Sequence, residues 1–195
     1  METIIIRNAT KADIRVIQAI YAPYVTDTVI TFEYDVPTVE EMERRMEQVQ
    51  KKYPWLVAEE NGKVVGYAYA SAFKERAAYQ WAVETSIYVD GQEKRKGIGR
   101  QLHDALEEAL KMQGILNMNA CISFPADALN NQPTRLTNPS PQEEYTPDPH
   151  LTLDSVHFHE RLGYTTVAHF HLCGKKFGRW YDMIWMEKMI GEHKP

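Results

Sequence analysis

The sequence WAVETSIYVDGQEKRKGIGRQLHDALEEAL, residues 81–110, decides the fold because it joins a strand, a short basic glycine loop and an amphipathic helix. β-Branched and aromatic residues fill Trp81–Val89, and the turn signal Asp90-Gly91 ends this predicted strand. After the loop, apolar residues recur at the spacing of one helix face: Ile98, Leu102, Ala105, Leu106 and Leu110. We therefore predict a strand–loop–helix unit at the centre of the domain.

The loop of this unit has the composition of an anion site. Four basic side chains lie among its seven residues, which are Lys94, Arg95, Lys96, Gly97, Ile98, Gly99 and Arg100. Glycines let backbone N–H groups approach a ligand, and the first turn of a helix offers unpaired N–H donors at the positive end of its dipole. The whole chain nonetheless carries a net charge of −5. We therefore predict a local site for a polyanion such as a pyrophosphate, and no nucleic-acid partner.

The bulk composition is that of an ordinary globular protein. With 195 residues, 44% of them hydrophobic and 25% charged, the chain is expected to form one domain over residues 1–195. No apolar run approaches the roughly 18 residues that a membrane-spanning helix requires, and the start METIIIRNATKAD lacks a secretory pattern. Cys121 and Cys173 form no recognisable framework. These features predict a cytoplasmic protein with no membrane partner.

The order of predicted elements indicates an α/β (α+β) domain around one mixed, mostly antiparallel sheet flanked by helices. Asn61-Gly62 predicts a hairpin, and Thr10 and Thr38 each begin a capping box before a helix. The segment 125–150 contains six prolines and little periodicity, so we interpret it as an inserted loop. The other predicted strands are Thr3–Arg7, Trp55–Glu59, Val64–Ala70, Leu116–Ile122, Thr165–Leu172 and Trp180–Met189, with a β-rich segment at Thr28–Phe32.

Five segments resemble the GNAT acetyltransferase superfamily, and within it the phosphinothricin N-acetyltransferase-like branch. The loop signature of the superfamily is Gln or Arg, two residues, Gly, one residue, then Gly or Ala; here it reads KRKGIG, with Lys94 at the first position as a departure. The five segments occur in the family's order. They are TFEYDVPT (31–38), YPWLVAEENGKVVGYAYA (53–70), FKERAAYQWAVETSIYV (73–89), FHERLGY (158–164) and GKKFGRWYDMIWM (174–186).

The resemblance implies a single domain whose sheet splays between two central strands, with acetyl-CoA as cofactor and a homodimer as the assembly. The pyrophosphate is expected on the loop from Lys94 to Arg100, and the pantetheine beside the backbone of Ile87, Tyr88 and Val89. Many relatives hold the cofactor with an Asn where this chain has Thr152, so Asp154 is an alternative contact. The implied reaction is direct transfer of an acetyl group, in a ternary complex, to the amine of phosphinothricin, methionine sulfone or sulfoximine, or a related amino acid.

Two residues are candidates for the proton transfers that this reaction needs. Glu84 is an ionisable residue in an otherwise apolar strand, so it is either the general base or a solvent-facing glutamate at an alternating position. The resemblance favours the base. His159 stands where many relatives place a tyrosine near the departing thiol; it would protonate the thiolate, assist the base, or simply pack between helix and sheet.

The acceptor site is expected from the residues around the central strand. By resemblance, Lys74 and Arg76 hold the carboxylate or phosphinate of the acceptor, for which the planar fork of Arg is suited. The alternative is an exposed basic loop. Phe32 is expected either to wall the acceptor pocket or to pack in the core, and Thr85 and Ser86 are further substrate-binding candidates beside the predicted base.

The histidines do not predict a metal cofactor. His157 and His159 lie at positions i and i+2 of a predicted helix and point about 200° apart, so they cannot share an ion. His169 and His171 share one face of a predicted strand, a pattern that polar alternation also produces.

Other functions remain open at this point. An acetyltransferase for protein or peptide N-termini and a non-catalytic acyl-CoA-binding module both fit the cofactor loop. A nucleotide-binding fold is disfavoured because the loop lacks the Gly-Lys-Ser/Thr of NTPases and the third glycine of dinucleotide folds.

Overall fold

The computed structural model describes residues 4–93, 96–126 and 148–194. Lys94 and Arg95 of the glycine loop, and most of the predicted insertion at 125–150, lie outside the described residues. The strands are β1 (Ile4–Asn8), β2 (Trp55–Glu60), β3 (Lys63–Ala72), β4 (Ala82–Val89), β5 (Asn117–Phe124), β6 (Thr165–Lys176) and β7 (Arg179–Met189). The helices are α1 (Ile14–Asp27), α2 (Val39–Gln50), α3 (Ile98–Met112) and α4 (Asp154–Arg161).

All seven strands form one sheet in the order β1-β2-β3-β4-β5-β7-β6. Every neighbouring pair is antiparallel except β4 and β5, which are parallel. The prediction of a mixed, mostly antiparallel sheet flanked by helices is therefore confirmed. The single parallel pair sits where the chain crosses through α3, since parallel neighbours need a long connection.

Local sequence signals place the ends of several elements. Asn61 and Gly62 have φ of 52° and 78°, the positive values that a tight β2–β3 hairpin requires. The Thr38 hydroxyl accepts a hydrogen bond from the Glu41 N–H and caps α2, as predicted. Gly114, with φ of 77°, follows the C-terminus of α3.

The β-rich segment Thr28–Phe32 forms no strand in the structure. Val29 is fully buried there, packed with Leu151 and Tyr181. Its carbonyl accepts a hydrogen bond from the Ser123 hydroxyl. The β-branched side chain of Val29 is therefore accommodated by tertiary packing. The backbone of Val29 forms its hydrogen bonds with groups that do not belong to a neighbouring strand.

The two faces of the sheet are covered by different helices. On one face, here called the α1/α2 face, Ile17 and Met46 pack against Trp55 and Tyr67 of the sheet. The opposite face, called the α3/α4 face, buries an aliphatic core that is larger and includes Val83, Leu102, Leu106, Met118, Ile184 and Met186. Residues of one strand therefore alternate between two distinct environments.

Within the described ranges, no helix has both the length and the apolar composition needed to cross a bilayer.

Candidate active site

Strands β4 and β5 separate after a short contact. Each has eight residues, yet they pair only at Ala82↔Asn117, Val83↔Met118 and Glu84↔Asn119. Beyond Glu84 the strands diverge, which is the splay that the family resemblance implied. The gap opens toward the glycine loop, because that loop follows the end of β4.

Backbone groups of β4 line this gap. The Trp81 carbonyl accepts from the Leu116 N–H on the β5 side, and the Ala82 carbonyl accepts from the Phe73 N–H on the β3 side. Strand alternation therefore turns the peptide groups of Ile87 and Val89 toward the gap. The Tyr24 hydroxyl already contacts both groups of Val89, 2.7 Å from its carbonyl oxygen and 3.3 Å from its nitrogen. Of the two, Ile87 keeps its peptide groups available for a ligand.

The start of α3 has the form of an anion cradle. Gly97 has a φ of 78° and precedes the helix with no side-chain cap on the first-turn N–H groups. A Cβ atom added at Gly97 would meet nothing within 4 Å, so open space lies above it, whereas one at Gly99 would lie 3.3 Å from the Phe158 ring. Uncapped N–H groups beside open space fit the pyrophosphate of a coenzyme.

The basic side chains of the loop are partly engaged. The Lys96 ammonium lies 2.6 Å from Glu93 and 3.1 Å from Glu60, which raises its pKa. Arg100 is exposed and donates weakly, at 3.4 Å, to the Arg161 carbonyl at the end of α4. Of the two basic side chains described here, Lys96 is paired with carboxylates and Arg100 is exposed, and the uncapped N–H groups of the helix start are a further candidate for anion binding.

Glu84 lies on the α1/α2 face, at the last residue pair before the splay. It stands directly across the β3–β4 ladder from Ser71. Burial is the largest influence on this carboxyl group and raises its pKa, against a smaller opposing effect of the Lys74 ammonium. A half-buried carboxylate with a raised pKa at the point where two strands part has the properties of a general base.

His159 lies on α4 and is buried against the α3/α4 face. Its Nδ1 lies 2.7 Å from the Ser155 carbonyl, so Nδ1 carries the proton and Nε2 presents a lone pair. Burial lowers the pKa of the imidazole to about 4. The ring is therefore neutral at pH 7, so it has no acidic proton to give up as an imidazolium, and its Nε2 can accept a hydrogen bond.

Ser86 and Thr85, both predicted to bind substrate, point to different faces. Ser86 is on the Glu84 face and hydrogen-bonds the Tyr69 hydroxyl. Thr85 is buried on the α3/α4 face, where its hydroxyl donates to the Asn119 carbonyl at 3.2 Å. The structure therefore separates Thr85 from the acceptor-side residues and places it at the root of the splay.

The residues predicted to bind the acceptor differ in how close they lie to Glu84. The Lys74 ammonium lies 5.9 Å from the Trp185 ring and close enough to Glu84 to lower its pKa. Arg76 is exposed at the turn before β4. Phe32 packs against Gly174 of β6, where an added Cβ would fall 2.4 Å from its ring.

A cavity of about 240 Å³ lies on the Glu84 face, and sequence reasoning missed it. Its wall includes Ser71, the cross-strand partner of Glu84, and the Trp55 and Tyr69 rings, whose centroids are 4.2 Å apart. The Trp55 Nε1–H is buried without a hydrogen-bond partner among the described residues. The remaining lining residues are Tyr21, Met42, Arg45, Val49 and Tyr67. A larger cavity of about 300 Å³, between Lys52 and Gln113, is lined by none of the candidate catalytic residues.

Two further predicted contacts are at the start of α4. Asp154 is exposed in its first turn, and the Thr152 hydroxyl accepts from the Asp154 N–H at 3.4 Å. Both lie on the side of the domain that carries the glycine loop, because Phe158 of the same helix contacts Gly99.

Comparison with known proteins identifies the family. Residues 6–185 match the acetyltransferase (GNAT) domain. The chain is 33% identical to a phosphinothricin N-acetyltransferase of Streptomyces viridochromogenes over 91% of this chain and 83% of the other. It is 30% identical to an L-methionine sulfoximine/L-methionine sulfone acetyltransferase of Salmonella typhimurium over 96% and 95%.

A solved structure shares the fold as well. The phosphinothricin acetyltransferase of Sinorhizobium meliloti in complex with acetyl-CoA superposes with a TM-score of 0.81 at 33% identity, covering 99% of this chain and 93% of the other. The splayed sheet and the uncapped glycine turn agree with these matches. The chain belongs to the GNAT acetyltransferase family and uses acetyl-CoA as its cofactor.

Proposed function

We propose that the protein acetylates the primary amine of a small amino-acid-like molecule, with Glu84 as the general base. The observation that carries this proposal is the position of Glu84, whose pKa is raised by burial, between the β4–β5 splay and the 240 Å³ cavity. An amine bound in front of Glu84 has the splay on one side and the cavity on the other.

The cofactor is held by backbone in this proposal. The first-turn N–H groups after Gly97 bind its pyrophosphate, and the peptide groups of Ile87 pair with its pantetheine. Acetyl-CoA supplies an activated acetyl thioester, so that the protein itself has only to align the two reactants and move protons.

Glu84 and His159 have different proposed roles on the two faces. An acceptor amine is protonated at pH 7 and must lose a proton before it attacks the thioester, which is the task of Glu84. His159 is neutral and presents Nε2 as an acceptor, so its role is to receive a hydrogen bond on the cofactor side rather than to supply a proton.

The acceptor is expected to carry an acidic group and a medium-sized side chain. Lys74 and Arg76 supply positive charge for a carboxylate. The cavity beyond Ser71 takes the side chain of the acceptor, and a sulfone, sulfoximine or phosphinate group is the proposed occupant. The names of the two relatives, which act on such compounds, support this class.

We further propose a cytoplasmic location, from the cysteine content and the N-terminal sequence, and a homodimer, from the family resemblance. Acetylation of peptide N-termini and non-catalytic binding of acyl-CoA are the competing functions. A peptide needs an open groove at Glu84, and a binding module needs no base. The raised pKa of Glu84 beside a cavity of only about 240 Å³ favours a small acceptor.

A thiol-release assay with acetyl-CoA tests these functions together. Amino acids, phosphinothricin, methionine sulfone, methionine sulfoximine, polyamines and short peptides should be compared by kcat/KM, with mass detection of the acetylated product. We expect the highest values for amino acids with an oxygen-bearing side chain. Activity on peptides alone would refute the acceptor class, and no thiol release with any amine would support a binding module.

A further inference from the structure

A cluster of two histidines and an aspartate lies outside the residues used above. The Asp182 carboxylate on β7 is buried, with its side chain 3% exposed. Its Oδ2 lies 2.7 Å from His169 Nε2 and 3.2 Å from His171 Nδ1. The three potential ligand atoms lie within 4.8 Å of one another. The two imidazole rings have centroids 4.3 Å apart.

We propose that His169, His171 and Asp182 form a binding site for a divalent transition-metal ion of the Zn²⁺ type. Two imidazole nitrogens and one carboxylate oxygen are a common ligand set for Zn²⁺, with a fourth position left for water. Zinc ligands lie about 2.0–2.2 Å from the ion. The three ligand atoms therefore need to move only a little to surround one ion. Rotation of the exposed His171 side chain allows this movement.

The backbone around the cluster is arranged to hold these side chains. The β6–β7 register is irregular between Phe170 and Gly174, and Leu172 within this bulge has a φ of 48°. The Leu172 N–H donates to Asp182 Oδ1 at 2.8 Å. Bulges that place a bulky residue at positive φ cost energy and occur next to functional sites. Strand alternation places His169 and His171 on one face, and the bulge adds a backbone N–H that fixes the carboxylate they share.

The remaining groups around Asp182 fit a ligand role. Its Oδ1 is fixed by a backbone N–H, as is usual for carboxylates that bind metals, and its Oδ2 faces the two imidazoles. No lysine or arginine forms an ion pair with Asp182 in the part of the chain described. A divalent cation held by the two imidazoles would also compensate the charge of this buried carboxylate.

The cluster lies farther along the sheet than Glu84, and none of its three residues has a part in the proposed acetyl transfer. Asp182 pairs with Phe124 at the far end of β5, and the Phe124 ring packs on His169. Glu84 pairs with Asn119, five residues earlier on β5. The ion is therefore assigned to fixing the bulge of the β6–β7 hairpin and not to the chemistry.

Titration of the full-length, tag-free protein with Zn²⁺ tests the proposal. Isothermal calorimetry should show one ion per chain, and Co²⁺ should give the visible absorption of a low-coordinate site with nitrogen and oxygen ligands. His171→Ala and His169→Ala should each weaken binding at least tenfold and abolish the metal-induced rise in Tm. His157→Ala is the matched control, since His157 is an exposed histidine on α4.

Two more variants test the ligand set itself. Cys173→Ser removes the exposed thiol within the bulge and should leave the affinity unchanged; loss of binding there, with sulfur-to-cobalt charge transfer in the native protein, would overturn the proposed ligands. Asp182→Asn keeps the shape of the side chain and should lower the affinity while circular dichroism verifies the fold. Unchanged Zn²⁺ affinity in His169→Ala and His171→Ala would likewise refute the site. Acetyl-CoA binding measured in parallel keeps this result separate from the proposed function.

Discussion

Glu84 and His159 lie on opposite faces of the sheet, with the β4–β5 gap between them. Glu84 shares its face with Ser71 and the aromatic cavity, whereas His159 is buried with the aliphatic core beneath α4. Any group that both residues serve must therefore lie in the gap itself. The roles proposed for the two residues can therefore be tested by separate substitutions.

Replacement of Glu84 by Gln should lower kcat by about 10²–10⁴-fold, because the uncharged amide cannot remove the proton of the amine. Since burial raises the pKa of this carboxyl above its ordinary value of 4.5, the acidic limb of kcat/KM in the native enzyme should also lie above that value. Both are measured by steady-state kinetics across pH.

Glu75→Gln is the matched control for this experiment, because Glu75 is an exposed glutamate in the loop before β4. Turnover of the Glu84 variant within a few-fold of the native enzyme would remove Glu84 from the mechanism.

Burial of neutral His159 should make the protein less stable in mild acid. Its pKa falls from 6.5 in the unfolded chain to about 4 in the folded one, so the unfolded state binds more protons between these values. Stability is complete above about pH 6.5 and should fall by at most about 3 kcal/mol as pH drops toward 4. His159→Asn should flatten this slope in urea denaturation at several pH values.

The exposed His157 provides the comparison, and His157→Asn should keep the native slope. An unchanged slope in His159→Asn would assign the acid sensitivity to His103, whose pKa burial also lowers.

Substitution of the two glycines at the start of α3 should separate backbone strain from packing. Gly97→Ala places a Cβ in open space but at a φ of 78°, a conformation that costs a non-glycine residue about 1–2 kcal/mol. Gly99→Ala places it 3.3 Å from Phe158, so the contact between α3 and α4 must adjust. We expect weaker acetyl-CoA binding in both by calorimetry.

The two variants should differ in the α4 contact. Only Gly99→Ala should be improved by Phe158→Leu, which removes the opposing ring. Rescue of both variants by that change would contradict this distinction.

We expect Lys176 to stabilise the loop that carries Phe32. Its buried ammonium donates to the carbonyls of Thr28 and Thr31, each at 2.8 Å. Lys176→Met leaves both carbonyls without this donor, a loss of about 1–3 kcal/mol in the free energy of unfolding. We expect a larger increase in the acceptor KM than in the acetyl-CoA KM.

Lys175→Met is the control, since the Lys175 side chain is exposed and contacts only the Trp180 ring within the described structure. Equal effects of the two substitutions, or an increase confined to the acetyl-CoA KM, would show that Lys176 does not position the acceptor loop.

The sequence predicted those features that depend on a few neighbouring residues. The Asn61-Gly62 hairpin and the Thr38 cap each follow from local backbone preferences, and the structure has both. Strand alternation alone also places Thr85 and Glu84 on opposite faces, so the predicted substrate contact of Thr85 overlooked a signal that was present.

Other features depend on how distant strands align. Strand alternation places His169 and His171 on one face, but their meeting with Asp182 depends on how β6 aligns with β7, which no local pattern encodes. The cavity beside Ser71 likewise depends on α2 packing over the Trp55 and Tyr69 rings. The sequence shows which side chains are available, but their meeting depends on tertiary packing.

The uncapped turn at Gly97 and the aromatic cavity differ in what they are made of. The turn consists of main chain, so most side-chain substitutions elsewhere in the domain leave it intact. The cavity consists of side chains, which single mutations reshape. Selection for a new acceptor can therefore act on Trp55, Tyr67 or Met42 without disturbing the proposed acetyl-CoA site. An engineer who redesigns this enzyme should change the same wall first.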